Sequence, residues 1–544
     1  MAAHSGLTRS YWPADRSAPV RELTVGELLR EAASTVPERL ALVHAAVEVK
    51  ERRAWTYRRM LATVEQVARA LLARFEPGER IAVWAPNSGE WVILQQGIAV
   101  AGMILVAVNP AYRSNELSYM LEQSGAVALF HVDNYRDTDL SAIARSVRSD
   151  LPALQAIISF SDWDEFVQSA PDDLPLPDVE PLDPVQIQYT SGTTGSPKGA
   201  LLHHKGLLNE AYFVGRRAGM TDGAVCVNAM PMYHIGGGAV TEFATLSVHG
   251  TYVVMPAFDA GHTLELIETY RGTHSLMVPT MLIALLDHPD VRSRDLSSLK
   301  TVMSGAAAVP ESLVHRCQER LGSAFSILFG QTEMHGVISQ TSITDAPADQ
   351  ACTVGTPLPE LEIKIVDPES GNIVPIGTPG EICCRGYQTM LEYYNMPEET
   401  AATIDDDGWL HMGDLGAMDN RGFITITGRL KEMIIRGGMN IYPREIEELL
   451  IDHPAIAEAV VIGVPDERWG EQIAAILRPR ATGESLAPDE LKAWCRERIA
   501  AHKTPAQWYQ VDQFPVTASG KIQKFILKED ISEGKLAVAR PLAT

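Results

Sequence analysis

The chain has 544 residues, of which 46% are hydrophobic and 21% charged, so it is too long for one ordinary core and rich enough in apolar side chains to fill two or more domains. Its formal charge of −23 argues against nucleic acid as a partner and against docking on an anionic membrane surface. The six cysteines form no CxxC pair, which argues against structural zinc and for reduced thiols in a cytoplasmic protein.

The first twenty residues lack the apolar centre of a secretion signal. Helical spacing over 60–75 is followed by a strand pattern at 80–84, a helix at 90–101 and a strand at 104–108. The longest apolar run, 97–108, is too short to span a bilayer and reads as a buried helix end passing into a strand. A helix over 116–123 and a strand over 126–131 continue an alternation that predicts parallel sheets with crossover helices. Residues 171–184, rich in Pro and Asp, read as a linker or exposed loop. Further strands are expected at 185–189, 251–255, 300–303, 325–328 and 423–427. From about 432 the pattern changes: Pro443 opens a helix, 459–464 reads as a strand, and Pro488 opens another helix with Asp489 and Glu490 in its first turn. The expected fold is α/β, with a large N-terminal domain of layered sheets (1–428), a short connection (429–431) and a small α+β C-terminal domain (432–544).

The strand pattern at 185–189 feeds the segment Tyr189-Thr-Ser-Gly-Thr-Thr-Gly-Ser-Pro-Lys-Gly199. Its glycines allow the backbone N–H groups to approach an anion, its hydroxyls add donors, and Lys198 adds a cation, as a phosphate cradle requires. It is not a Walker A loop, because Lys198 lies between Pro197 and Gly199 with no Ser or Thr after it to hold a metal.

This segment resembles the signature loop of the adenylate-forming enzymes, which include acyl-CoA synthetases, peptide-synthetase adenylation domains and firefly luciferase. Further segments match in the family's order. Met230-Pro-Met-Tyr-His-Ile-Gly-Gly-Gly238 resembles its acyl-pocket motif, and Ser304-Gly-Ala-Ala-Ala-Val-Pro310 and Phe329-Gly-Gln-Thr-Glu333 its adenine and Mg²⁺ motifs. Gly380-Glu-Ile-Cys-Cys-Arg-Gly386, Trp409-Leu-His-Met-Gly-Asp414 and Gly428-Arg-Leu-Lys-Glu432 follow, then Gly437-Gly-Met-Asn-Ile-Tyr-Pro443 and Pro515-Val-Thr-Ala-Ser-Gly-Lys521. Met412, Phe329 and Glu392 depart from the residues usual at their positions, but none removes a charged catalytic group.

The resemblance implies ATP, Mg²⁺ and coenzyme A as ligands. It implies that Thr190, Ser191, Gly192, Thr193, Thr194, Gly195 and Lys198 cradle phosphates, with Thr194 also catalytic. Gly305, Ala306, Phe329, Gly330 and Gln331 would enclose the adenine, Thr332 would touch the α-phosphate, and Glu333 would bind Mg²⁺. Asp414 would accept from the ribose hydroxyls, and Arg429 would reach ribose or phosphate. Lys521 would bridge the substrate carboxylate and the α-phosphate during adenylation. Lys431 would be the hinge of a mobile small domain, Gly437 and Gly438 would line the CoA tunnel, and His234, Gly236 and Gly237 the acyl pocket. The three adjacent glycines at 236–238 hint at room for a sizeable acyl group, and a basic patch of Lys503, Lys521, Lys524 and Lys528 offers a place for a polyanion.

The expected activity is ATP-dependent ligation of a carboxylic acid to CoA, through acyl-AMP and pyrophosphate, most simply on a medium-to-long-chain fatty acid. An aryl or alicyclic acid, or a ligase loading an acyl-carrier protein, are the alternatives; a catalytically inactive nucleotide-binding regulator is the alternative from another class. An amino-acid substrate is disfavoured because the 233–238 stretch offers no Asp for an ammonium group. Assembly as a homodimer is compatible with the sequence.

Overall fold

The computed structural model describes residues 6–16, 18–190, 197–437, 439–480, 487–516 and 522–538. The alternation read from the sequence builds two large sheets. In the seven-stranded sheet the order is Glu392–Tyr393, Lys198–His203, Pro184–Thr190, Ile104–Val108, Arg80–Trp84, Ala128–His131 and Ala156–Ser159. Its last five strands run parallel, and its first two are added antiparallel at the edge. The centre is buried on both faces, which explains the unbroken apolar composition of 81–84 and of Ile104–Val108. The helix Gly89–Val100 is buried along its whole length, so the run 97–108 is a buried helix end passing into a strand.

The nine-stranded sheet has a parallel centre of Leu40–His44, Thr251–Val254, Val225–Asn228, His274–Leu276, Thr301–Ser304 and Ala324–Phe329. A third, antiparallel sheet of five strands carries Gly380–Gly386, Leu410–Met418 and Ile424–Arg429. The chain leaves it at Arg429, passes through a single 3₁₀ turn, Leu430–Glu432, and enters a separate six-stranded sheet at Ile434–Arg436. One face of that sheet packs Ile446, Leu450, Leu491 and Cys495 from the helices Pro443–Ile451 and Pro488–Arg496. The other packs Phe514 and Leu527.

Charge pairing inside this small unit takes up two of the four lysines of the basic-patch reading. Lys524 Nζ donates to Glu432 at 2.7 Å and to Glu447 at 2.9 Å, and Lys503 Nζ donates to both oxygens of Glu445. The acids come from other elements, so these two lysines are neutralised in space; Lys521 lies outside the described residues. No helix among the described residues is long and apolar enough to cross a membrane.

One buried acid in the large unit sets a pH response. Glu242, at the start of the helix Glu242–Ser247, accepts from Gln96 Nε2 at 2.7 Å, and burial pushes its carboxyl up to about 8 from 4.5. The folded state therefore holds a proton that the unfolded chain releases between about pH 4.5 and 8, so this group's contribution is full below 4.5 and fades as the pH rises to about 8. Glu242→Gln is expected to remove that slope. Denaturant midpoints should show the variant gaining on the parent at pH 8 by on the order of 4 kcal/mol at most, and no gain at pH 4.5. A gain that is the same at both pH values would assign it to packing instead.

Candidate active site

The phosphate-cradle segment joins Pro184–Thr190 to Lys198–His203, and Thr190 pairs with Lys198 across the hairpin. Here the structure departs from the strand-to-helix context of other phosphate loops: the chain returns as an antiparallel strand. Among the described residues, the segment is therefore followed by a strand and not by a helix N-terminus, the usual partner of a phosphate loop. Gln188 Nε2 donates to the Tyr233 carbonyl at 2.7 Å, tying the strand before the loop to the segment that carries His234.

Residues 304–310 and 329–333 follow the adjacent parallel strands Thr301–Ser304 and Ala324–Phe329, at their carboxyl ends, where open α/β sheets bind ligands. Gly305 begins the first turn, and Ala306 is held left-handed at φ 64°, a strained conformation for a residue with a side chain. Phe329 is half-buried, Gly330 and Gln331 follow it, and Thr332 and Glu333 sit in the 3₁₀ turn Thr332–Met334. Lys198–His203 and Pro184–Thr190 both contact this turn.

The two segments meet through a residue whose role is not legible in the sequence. Tyr393 donates its hydroxyl to Glu333 Oε1 at 2.5 Å, and Lys198 Nζ lies 4.8 Å from the centre of the Tyr393 ring. Both Tyr393 and Glu333 are buried. Burial, and then the charge of Glu333, hold the phenol well above its ordinary range, so it acts as the donor. The backbone is fastened as well: Met390 N–H donates to the Glu333 carbonyl at 2.8 Å. Behind Glu333, the fully buried His335 accepts from the His203 N–H at 3.0 Å through Nε2 and donates through Nδ1 to the Gln388 carbonyl at 2.7 Å. Glu210 accepts from the Val337 N–H at 2.9 Å. No sequence signal pointed to His335, Glu210 or Gln388.

Asp414 and Arg429 are register partners in the antiparallel sheet, with Arg429 Nε 2.9 Å from Asp414 Oδ1. Asp414 is buried and Arg429 half-exposed, so the pair presents a fixed carboxylate and a reachable guanidinium. Glu381 Oε1 accepts from the Gly413 N–H at 3.2 Å and steadies the turn before Asp414.

His234 is half-buried, and its Nδ1 accepts from the Gly236 N–H at 3.2 Å. The glycine run is the π-helix Gly236–Thr241. A Cβ on Gly237 would lie 2.4 Å from the Pro231 carbonyl oxygen and one on Gly238 2.1 Å from that of Met232, so the space these two glycines leave is filled by backbone. Only Gly236, with neighbours no nearer than 3.5 Å, could yield pocket room. Gly437 is left-handed at φ 58° in the turn between Ile434–Arg436 and Met439–Ile441, and donates its N–H to the Trp469 carbonyl at 2.8 Å. Lys431 is exposed in the 3₁₀ turn between the sheets. Ser191, Gly192, Thr193, Thr194, Gly195, Gly438 and Lys521 lie outside the described residues.

A family model described as "AMP-binding enzyme" matches residues 29–394, and one described as "AMP-binding enzyme C-terminal domain" matches 445–521. The chain belongs to the AMP-binding enzyme family. It is an adenylate-forming enzyme of the acid–CoA ligase branch. This AMP-binding enzyme is 38% identical to YngI of Bacillus subtilis (strain 168) over 539 residues, covering 94% of this chain and 97% of that one. It is 35% identical to the mitochondrial medium-chain acyl-CoA ligase ACSF2 of Bos taurus over 548 residues, covering 94% and 88%. Among solved structures, ATP-bound MatB from Rhodopseudomonas palustris superposes with a TM-score of 0.84 at 27% identity, covering 94% of this chain and 100% of that one. The anthranilate CoA ligase AuaEII in complex with anthranoyl-AMP superposes at 0.85 with 26% identity, covering 95% and 99%.

Proposed function

We propose that this AMP-binding enzyme ligates a medium-to-long-chain fatty acid to coenzyme A in two steps. The acid's carboxylate oxygen attacks the α-phosphorus of ATP; the bond to the β-phosphate oxygen breaks, and pyrophosphate leaves. The sulfur of CoA then attacks the acyl carbon of the adenylate, and AMP leaves as the acyl–oxygen bond breaks. The observation that carries this reading is the Lys198–Tyr393–Glu333 assembly, which sets a cation and a buried carboxylate at the strand ends that also carry the 304–310 and 329–333 turns.

Two anions must meet in the first step, so the site has to supply positive charge and directed donors. Lys198 and the loop before it hold the β- and γ-phosphates. Phe329 stacks on the base, and Thr332 donates to the α-phosphate. Asp414 accepts from the ribose hydroxyls, with Arg429 beside it. Lys521 approaches the carboxylate and the α-phosphate. Glu333 suits a hard divalent cation: it is a buried carboxylate with one oxygen supported by a donor, and Mg²⁺ takes few protein ligands beside phosphate oxygens. Mg²⁺ bound there would offset phosphate charge. The unit beyond Lys431 turns between the two steps and brings Gly437 and Gly438 toward the acyl adenylate. The six free thiols, five of them buried, fit a reducing cytoplasm.

The name of the Bos taurus relative supports a medium-chain acid. A second reading, an aromatic acid, draws on the anthranilate ligase and on the o-succinylbenzoate CoA synthetase of Bacillus subtilis among the structural neighbours. The test is to incubate the purified chain with ATP, Mg²⁺ and fatty and aryl acids, with and without CoA, and to identify the products by mass spectrometry. Fatty acyl-CoA and AMP are expected. Turnover of aryl acids alone would replace the substrate class. Acyl-AMP that accumulates in the presence of CoA would make a carrier protein the acceptor, and absence of pyrophosphate with every acid would overturn the enzyme reading.

A further inference from the structure

A mixed cluster of donors lies beside the ribose end of the site and takes no part in the reaction as derived. Glu381 and Cys383 project from the same face of Gly380–Gly386, two residues apart, and His411 is the register partner of Cys383 on Leu410–Met418. His411 Nδ1 lies 2.9 Å from Glu381 Oε2 and 3.6 Å from Cys383 Sγ, and one ligand atom from each of the three residues falls within 4.8 Å of the others. Around a tetrahedral zinc ion, bond lengths of about 2.0 Å to nitrogen and about 2.3 Å to sulfur place those two atoms about 3.5 Å apart, close to the separation found here. The Glu381 oxygen needs to retreat only a few tenths of an ångström to open the centre. On the far edge of the ring, Asp405 Oδ2 lies 3.6 Å from His411 Nε2, while its Oδ1 accepts from the Asp407 and Trp409 N–H groups. Asp405 thus stands on the side of the ring away from Glu381 and Cys383, where a carboxylate commonly supports a metal-binding imidazole. Glu381 and Cys383 are buried, whereas His411 is 36% exposed, which leaves a way in. Lys364 is held with its Nζ 4.2 Å from the centre of the Trp409 ring.

We propose that Glu381, Cys383 and His411 form a three-ligand site for a borderline-soft divalent cation of the zinc class, separate from the hard-cation site at Glu333. A thiolate and an imidazole in the set select against Mg²⁺ and Ca²⁺. Binding releases the thiol proton, the neutral imidazole coordinates through Nδ1, and the thiolate and carboxylate balance the two charges of the ion. The site is coupled to the nucleotide. Glu381 also holds the Gly413 N–H, one residue before Asp414, so drawing its carboxylate onto a cation loosens the turn that presents Asp414. This coupling, though not the site itself, rests on reading Asp414 as the ribose acceptor.

Cobalt(II) and zinc(II) are the probes. The chelator-stripped full chain, given one equivalent of Co²⁺, is expected to develop a thiolate-to-cobalt band in the near ultraviolet and the visible bands of a tetrahedral ion, both displaced by Zn²⁺. Cys383→Ser and His411→Ala should each lose them, while Cys384→Ser, on the opposite face of the strand, should keep them. Bands absent from the parent chain, or surviving in Cys383→Ser and His411→Ala, would overturn the site. In the second arm, Zn²⁺ should raise KM for ATP several-fold in the parent chain and have no such effect in Cys383→Ser. Cobalt bands without that rise would keep the site and overturn the coupling.

Discussion

Glu333→Gln is expected to lower pyrophosphate release by about a hundredfold to a thousandfold while leaving the fold intact. The substitution keeps the shape and the acceptor that Tyr393 reaches at 2.5 Å, and removes only the charge. A lost electrostatic group at a charge-building centre costs about 2.7–4 kcal/mol, which gives that range. The companion variant Tyr393→Phe removes the donor and leaves the charge. Hydrogen bonds to ionised groups are worth about 1.5–3 kcal/mol, so a loss of roughly tenfold or somewhat more is expected at fixed Mg²⁺. Because Tyr393 acts through Glu333, raising Mg²⁺ should recover much of the Tyr393→Phe rate and none of the Glu333→Gln rate. If Tyr393 served only packing, Tyr393→Phe would lower the melting temperature without moving the Mg²⁺ dependence. A Glu333→Gln enzyme within threefold of the parent would remove Glu333 from the metal role.

The second large effect is acid sensitivity. His203, His204, His274 and His335 are all buried, and burial pushes the first three down to about 4, 3 and 4, and His335 well below 6.5. Three of them use a ring nitrogen as an acceptor that protonation would destroy: His203 Nδ1 from the Gly206 N–H, His204 Nδ1 from the Val25 N–H, and His335 Nε2 from the His203 N–H. The unfolded chain would bind these protons near 6.5, so between 6.5 and about 4 it holds more protons than the folded one. Stability is therefore full above 6.5 and is lost as the pH falls through that window. Near pH 5 the four groups together give a slope on the order of 4–5 kcal/mol per pH unit. Denaturant midpoints at pH 7, 6 and 5 should fall steeply over the last interval, before most carboxylates titrate. A flat profile from 6.5 to 5 would contradict the buried neutral histidines. Pyrophosphate release should fail in the same interval, because His335 and His203 join the Glu333 turn to the strand that begins at Lys198.

How far the sequence was legible depends on the range of the signal. Arg80–Trp84 and Ile104–Val108 were read with correct ends because strands buried on both faces are continuous apolar runs bounded by polar residues. The turns after Thr301–Ser304 and Ala324–Phe329 were placed because those strands lead directly into the motif loops. The hairpin that closes the phosphate segment was missed, since nothing in 198–203 says whether the chain returns as a strand or a helix. Tyr393 was missed for a longer-range reason: it sits in a two-residue edge strand, and its partner Glu333 lies 60 residues earlier. The glycines at 236–238 suggested empty space, whereas two of them exist to admit neighbouring carbonyls. Composition cannot distinguish a void from a close backbone contact.

The Lys524 clamp has a mechanical consequence. Glu432 is the last residue of the 3₁₀ turn between the sheets, and Lys524 fastens it to Glu447 in the body of the small unit. On the other side, Arg429 is fastened to Asp414. Between the two fastened residues lie Leu430 and Lys431. If the small unit turns as proposed, the turn would be concentrated in a few backbone torsions there. On the proposal that the small unit turns here, such a joint would behave as a latch with a few discrete settings, stiffened on one side by an ion pair of the ribose site and on the other by one remote from it.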